Sequence, residues 1–220
     1  MSKHLIAAAA AALLAVPAAA DLMKPAGPVF VRGTVIAVAA ALLPVVRDAV
    51  TTLSPAEMTV KAASGATVVI LLPAGFKVAA LTRIGLDAIR PNSFIGTAAK
   101  PGKGGVLQAT EVHVFPEAMR GLGEGHYGWD KGATSTMTNG SVGRVGTIKH
   151  HAGRTLTVDY KGGTQEIVVP ANIPIVAFAE GTPGQLLPGA HVFVVTQKTT
   201  DGRLAANQVA VGVGGLVPPM

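Results

Sequence analysis

The 220 residues contain no cysteine, so disulfides, thiolate nucleophiles and cysteine-held zinc or iron–sulfur centres are all excluded. Aromatic residues are scarce: one Trp, two Tyr and six Phe make up 4% of the chain. That leaves few rings on which nucleic-acid bases would stack. Charged residues reach only 14%, and no pair of carboxylates is spaced as a glycosidase requires. The apolar run nearest the start, Leu5 to Val16, is shorter than the roughly 20 residues a helix needs to cross a bilayer. No later run is both long enough and free of charge, so no integral membrane helix is expected.

What is present at the N-terminus has the order of an export signal. Met1-Ser2-Lys3-His4 is a short basic start, the apolar run follows, and Ala18-Ala19-Ala20 supplies small residues for a signal peptidase. Residues 1–20 are therefore expected to be removed between Ala20 and Asp21, giving a periplasmic or secreted protein. The remaining chain keeps 17 basic residues against 12 acidic. A basic exported protein meets a protein partner, an anionic glycan or a small anion rather than nucleic acid.

The strongest structural signal is an internal repeat, which appears when the second half is laid on the first with a shift of 97 positions. Pro73-Ala74 falls on Pro170-Ala171, Gly65 on Gly162, Ile70 on Ile167, Ala80 on Ala177 and Pro91 on Pro188. The register continues to Leu107 on Leu204, Ala109 on Ala206 and Val112 on Val209. Upstream, Gly33-Thr34-Val35 is matched to Gly146-Thr147-Ile148. The first copy carries an insertion over about 37–57, readable either as a short packed helix broken by Pro44 or as an extended hairpin.

Each copy reads as about five short strands separated by turn residues. In the second copy these are Ser141 to His150, Thr155 to Tyr160, Gln165 to Val169, Ala190 to Lys198 and Leu204 to Val213. Lys161-Gly162-Gly163-Thr164 makes a hairpin turn, because paired glycines tolerate positive φ. In the first copy, Leu81, Ile84, Leu86 and Ile89 would line a short helix plugging one barrel end. Three strands, a connection and a closing hairpin is the order of a small OB-like barrel. The predicted fold is all-β, with two tandem OB-like barrels over 27–115 and 141–213, an ordered glycine-rich linker over 116–140 and a tail over 214–220.

The linker holds the only Trp, in the pattern MRGLGEGHYGWD followed by STMTN. With the repeat, this pattern resembles a group of exported bacterial proteins carrying domains of unknown function built as OB-like barrels. The resemblance covers most of the mature chain and implies a periplasmic, non-enzymatic protein, with no chemistry to transfer.

Within the linker, Arg120, Glu124, His126, Tyr127, Trp129 and Asp130 are the candidate ligand-binding residues. A lone Trp offers a flat wall to a ligand, but the composition favours burial in a seam between the barrels, with Trp129 packed there and Arg120 or His126 hydrogen-bonded to Glu124 or Asp130. His126, Met119 and Met137 form a weaker candidate set for copper or zinc. His150 and His151 are adjacent, so on a strand they would point to opposite faces. Ser135, His126 and Asp130 lie close in sequence, but a triad is a matter of geometry that a loop rarely supplies. No enzymatic activity and no cofactor are expected. The leading expectation is a binding or scaffold protein acting through the central loop and adjoining barrel faces, with a metal carrier or sensor as the alternative.

Overall fold

The computed structural model describes residues 28–39, 56–147 and 153–220. The expected signal peptide, nearly all of the 37–57 insertion and the His150-His151 pair lie outside them. The described chain is all-β, with fourteen strands and only short 3-10 turns between them. In order these are β1 (Val29–Ala39), β2 (Ala56–Ala62), β3 (Thr67–Leu72), β4 (Lys77–Arg83), β5 (Phe94–Pro101), β6 (Leu107–Val114) and β7 (Gly125–Gly128). Then come β8 (Thr136–Thr147), β9 (Gly153–Tyr160), β10 (Gly163–Pro170), β11 (Ile175–Glu180), β12 (His191–Lys198), β13 (Leu204–Ala205) and β14 (Gln208–Gly212).

Local chemistry accounts for the hairpins. Gly65 and Gly162 sit in equivalent turns with φ of 87° and 105°, a region that costs glycine nothing. Pro73 follows β3 and Pro170 ends β10, since proline has no N–H to continue a ladder. The expected helix over 81–89 is a single 3-10 turn at Leu86–Ala88. Leu81 belongs instead to β4, because its neighbours find a pairing strand in β11.

The strands close five-membered rings, but not in the tandem arrangement expected. β1, β2 and β3 form a meander that is closed into a barrel by β13 and β12, from the far end of the chain. β8, β9 and β10 are likewise closed by β6 and β5, from the first copy. Each copy has handed its closing hairpin to the other, so neither 27–115 nor 141–213 corresponds to one ring. The sequence pattern of a closing hairpin is the same whichever meander it closes, which is why the exchange is hidden in the repeat.

Equivalent pairings confirm the symmetry of the exchange. Leu204 pairs with Ile70 and Leu107 with Ile167, each parallel. The Val35 N–H donates to the Ala190 carbonyl and the Val142 N–H to that of Ser93, both at 2.8 Å. These bonds correct the upstream match: Gly33-Thr34-Val35 corresponds to Gly140-Ser141-Val142, a shift of 107. In both copies the valine is followed by a β-bulge. Gly33 and Gly140 are required at these places, because a Cβ would lie 2.2 Å from the Lys61 carbonyl oxygen and 2.3 Å from that of Asp159.

Two core clusters fill the rings. One includes Val31, Val35, Met58, Ile70, Val192 and Val194, and the other Ile95, Val112, Val142, Leu156, Ile167 and Val169. Ile84 and Leu86 pack against the second cluster and Ile89 belongs to it, so the connection from the first copy does plug a ring, but the ring built on β8 to β10. Between the rings, β4 and β11 pair antiparallel with Leu81 opposite Phe178. Those two residues are equivalent under the repeat, so the pseudo-twofold axis passes between them. A continuous run of strands in the order β12-β14-β4-β11-β6-β5 therefore crosses from ring to ring. A third cluster, with Leu81, Val176, Phe193, Ala210 and Met220 at its centre, sits on this seam.

Candidate functional site

Side chains alternate along a strand, so the seam face takes every second residue of the strands that cross it. On the side of β5, β6 and β8 the register places Ala98 beside Glu111 and Met137, and Gly96 beside His113 and Asn139. On the equivalent side, Phe193 lies beside Ala210 and Arg32, and Val195 beside Phe30. Positions related by the repeat thus carry Gly96 against Phe193, His113 against Ala210, Glu111 against Gln208, Asn139 against Arg32, and Met137 against Phe30. At Gly96 the missing Cβ makes room for Phe115 and Asn139, so the two sides differ in size position by position.

The space left between them is a cavity of about 480 Å³, lined largely by carbon. Its wall takes six of the nine aromatic residues: Phe30, Phe115, Tyr127, Trp129, Phe178 and Phe193. Phe30 stacks on Phe193 with centroids 6.0 Å apart and meets Trp129 edge-on at 5.0 Å. Phe115 and Phe178 lie 4.8 Å apart, and the His113 ring stands edge-on to both. Three lining side chains carry buried polar atoms with no partner among the described residues: His113 Nε2, Trp129 Nε1 and Asn139 Oδ1. Buried polar groups are almost always paired, so three around one apolar cavity are unusual.

Residues 116–140 are not a linker. Gly125–Gly128 pairs as β7 with β8, which itself begins at Thr136. Gly121 and Gly123 take positive φ in the preceding turn, and Asn139 Nδ2 donates to the Leu122 and Gly123 carbonyls. Trp129, Asp130 and Lys131 then fasten the seam in succession. Trp129 packs on Phe30, Asp130 accepts two 2.7 Å hydrogen bonds from the Arg32 guanidinium, and Lys131 Nζ donates to Glu111 at 2.9 Å. The 214–220 tail is also packed: Met220 is buried in the seam cluster and its carbonyl accepts from Arg32 Nε.

The six candidate ligand residues do not converge. Tyr127 and Trp129 line the cavity, whereas Arg120, Glu124, His126 and Asp130 do not. Arg120 forms a bidentate pair with Glu117 and also donates to Ser141 Oγ and the Asn92 carbonyl, rather than meeting Glu124 or Asp130. Its hydrogen bonds hold the Glu117 carboxyl below the ordinary carboxylate range, and Glu117 in turn raises the guanidinium. Glu124 accepts from the Lys161 backbone N–H. Burial raises the Tyr127 phenol above its ordinary value.

The metal set is not assembled. His126 pairs across to Thr138, with 2.8 Å between Nδ1 and Oγ1, while Tyr127 pairs with Met137 on the opposite face. Met119 and Met137 line the cavity without His126. Among the described residues no three His, Asp or Glu side chains are grouped as for a metal ion. Sequence reasoning missed the cavity residues Phe30, His113, Phe115, Asn139, Phe178 and Phe193. The available signal was departure from the repeat, a Phe or His in one copy where the other has Gly or Ala. No protein-family model, curated protein or solved structure matched the chain.

Proposed function

We propose that this is an exported, non-enzymatic binding protein that holds a small, mainly apolar organic molecule in the cavity between its two rings. The observation that carries this reading is an aromatic-walled space of about 480 Å³ with three unpartnered buried polar atoms on its wall. That is the usual make-up of a small-molecule site, apolar surface with a few polar groups that fix orientation. The cavity belongs to the region where the exchanged copies differ, so divergence of the repeat has supplied its shape. A small anion or anionic glycan fits the central segment less well, because Arg32 and Arg120 are already engaged by Asp130 and Glu117.

The test is titration with N-phenyl-1-naphthylamine, an uncharged apolar dye that brightens out of water. One-to-one binding with energy transfer from Trp129 is expected. Ala210→Phe, which fills the cavity from its wall, should remove it while leaving the unfolding midpoint within the range of an overpacking change. Absence of dye binding, or binding unaffected in the filled variant, would reject the cavity as the site.

A further inference from the structure

Three polar groups lie in line beside the cavity. Lys131 Nζ donates to Glu111 Oε2 at 2.9 Å and to the Pro219 carbonyl, and the other carboxylate oxygen, Oε1, faces His113 Nε2 at 3.5 Å. Glu111 is 1% exposed and His113 3%. A carboxylate this deeply buried persists as the anion only beside a compensating cation, and Lys131 is that cation. An anion accepts and does not donate, so Glu111 favours the imidazole tautomer with its proton on Nε2. Nδ1 is then left with a free lone pair, and the His113 ring has no side-chain hydrogen bond among the described residues, the 3.5 Å approach of Nε2 to Glu111 falling short of one. Nothing in the seam requires a charged pair here, since the equivalent positions are filled by Gln208 and Ala210.

We infer that the cavity selects a neutral aromatic alcohol, of the phenol or naphthol class, whose hydroxyl donates to His113 Nδ1 while its ring lies among Phe115, Phe178 and Phe193; this rests on the binding reading above. Rings of this size pack edge-on or offset against such walls at the separations already present. The hydroxyl satisfies an acceptor that Glu111 orients; Asn139 Oδ1 is the second unpartnered acceptor on the same wall. Glu111, directly behind the imidazole, disfavours an anionic ligand at the same point by like-charge repulsion.

Equilibrium dialysis of the full chain against 2-naphthol, naphthalene and 2-naphthoate tests this. The wild type is expected to bind 2-naphthol about tenfold more tightly than naphthalene, the worth of one net hydrogen bond, and to bind 2-naphthoate more weakly than 2-naphthol. His113→Phe keeps a ring of similar shape and should bind the two neutral probes equally. Glu111→Gln, which removes the charge that sets the tautomer, should narrow the preference and serves if His113→Phe does not fold. Equal wild-type affinity for 2-naphthol and naphthalene, tighter binding of 2-naphthoate, or an undiminished preference in the variants would overturn the histidine anchor and leave the cavity reading standing. Failure of all three probes to bind would overturn both.

Discussion

The two rings share one backbone and differ in the face each turns toward the other. Inside, the pairings match almost bond for bond, down to the glycine before each bulged valine. At the seam, one copy presents Gly96, Ala98, His113 and Glu111, and the other Phe193, Val195, Ala210 and Gln208. Closing a ring constrains inward residues through core volume, where one methylene is felt, whereas the seam constrains only the sum of the two faces. The seam is therefore where the two sets of strands can differ, and the cavity lies there.

The shared backbone is the part of this comparison most easily broken. Gly33→Ala and Gly140→Ala each drive a Cβ into a carbonyl oxygen little more than 2 Å away. Because the obstacle is backbone, each is expected to cost about 3 kcal/mol or more. Urea unfolding of both variants should show similar losses; a large cost at one glycine and none at the other would mean the rings are not equivalent.

The seam chemistry is sharpened by Lys131. Lys131→Met leaves the Glu111 carboxylate buried without its cation, an expected loss of about 3 kcal/mol. Adding Glu111→Gln, the residue of the other copy, should restore most of it. A double-mutant cycle read from thermal unfolding measures the coupling, and additive losses would show that the pair does not act as one.

A smaller effect is expected at Trp129. It is half-buried, so truncation to Ala should cost about 2 kcal/mol, below the range for fully enclosed tryptophans. The loss should appear with faster proteolysis between Gly121 and Asn139, since the same stretch fastens β1 through Trp129 and Asp130. Trp129 emission that is red and freely quenched in the wild type would contradict its packing on Phe30.

The smallest expected effect lies in the turns of the exchanged hairpins. The turn after β12 holds Asp201 against Thr199 and Arg203, which lowers its pKa to about 2, whereas the matching turn after β5 is Lys103-Gly104-Gly105 and has no acid. A depressed carboxyl pKa stabilises the fold above its unfolded value near 3.8 and loses that contribution as pH falls toward 2. The group is fully exposed, so the change should be slight. Carboxyl NMR titration should find Asp201 below the other exposed acids, and Thr199→Ala should raise it.

Much of the fold was legible locally. Gly65 and Gly162 announced hairpins, and Pro73 and Pro170 strand ends. The repeat was plain through Leu107 and Leu204, and the composition around Trp129 pointed to burial. The β4 strand was missed because its end runs into LTRIGLDAIRP, which also satisfies a helical spacing, and β11 because 171–187 reads as a loose connection; only their mutual pairing makes both strands. The cavity was less legible, since its residues come from β1, β6, β7, β8, β11, β12 and β14, and no local pattern marks them.

Periodicity, turn residues and the constant offset of 97 determined by themselves that this chain makes two equivalent sets of short strands, because those signals act over a few residues. Which hairpin closes which meander was decided only in three dimensions. A closing hairpin offers the same ladder of donors and acceptors to either partner, so its sequence is silent on the choice. Pairing β4 with β11 across the axis carries each hairpin to the opposite meander. The same step brings Phe30 and Phe193 to the wall that also holds His113, Phe115 and Asn139, and with it the cavity.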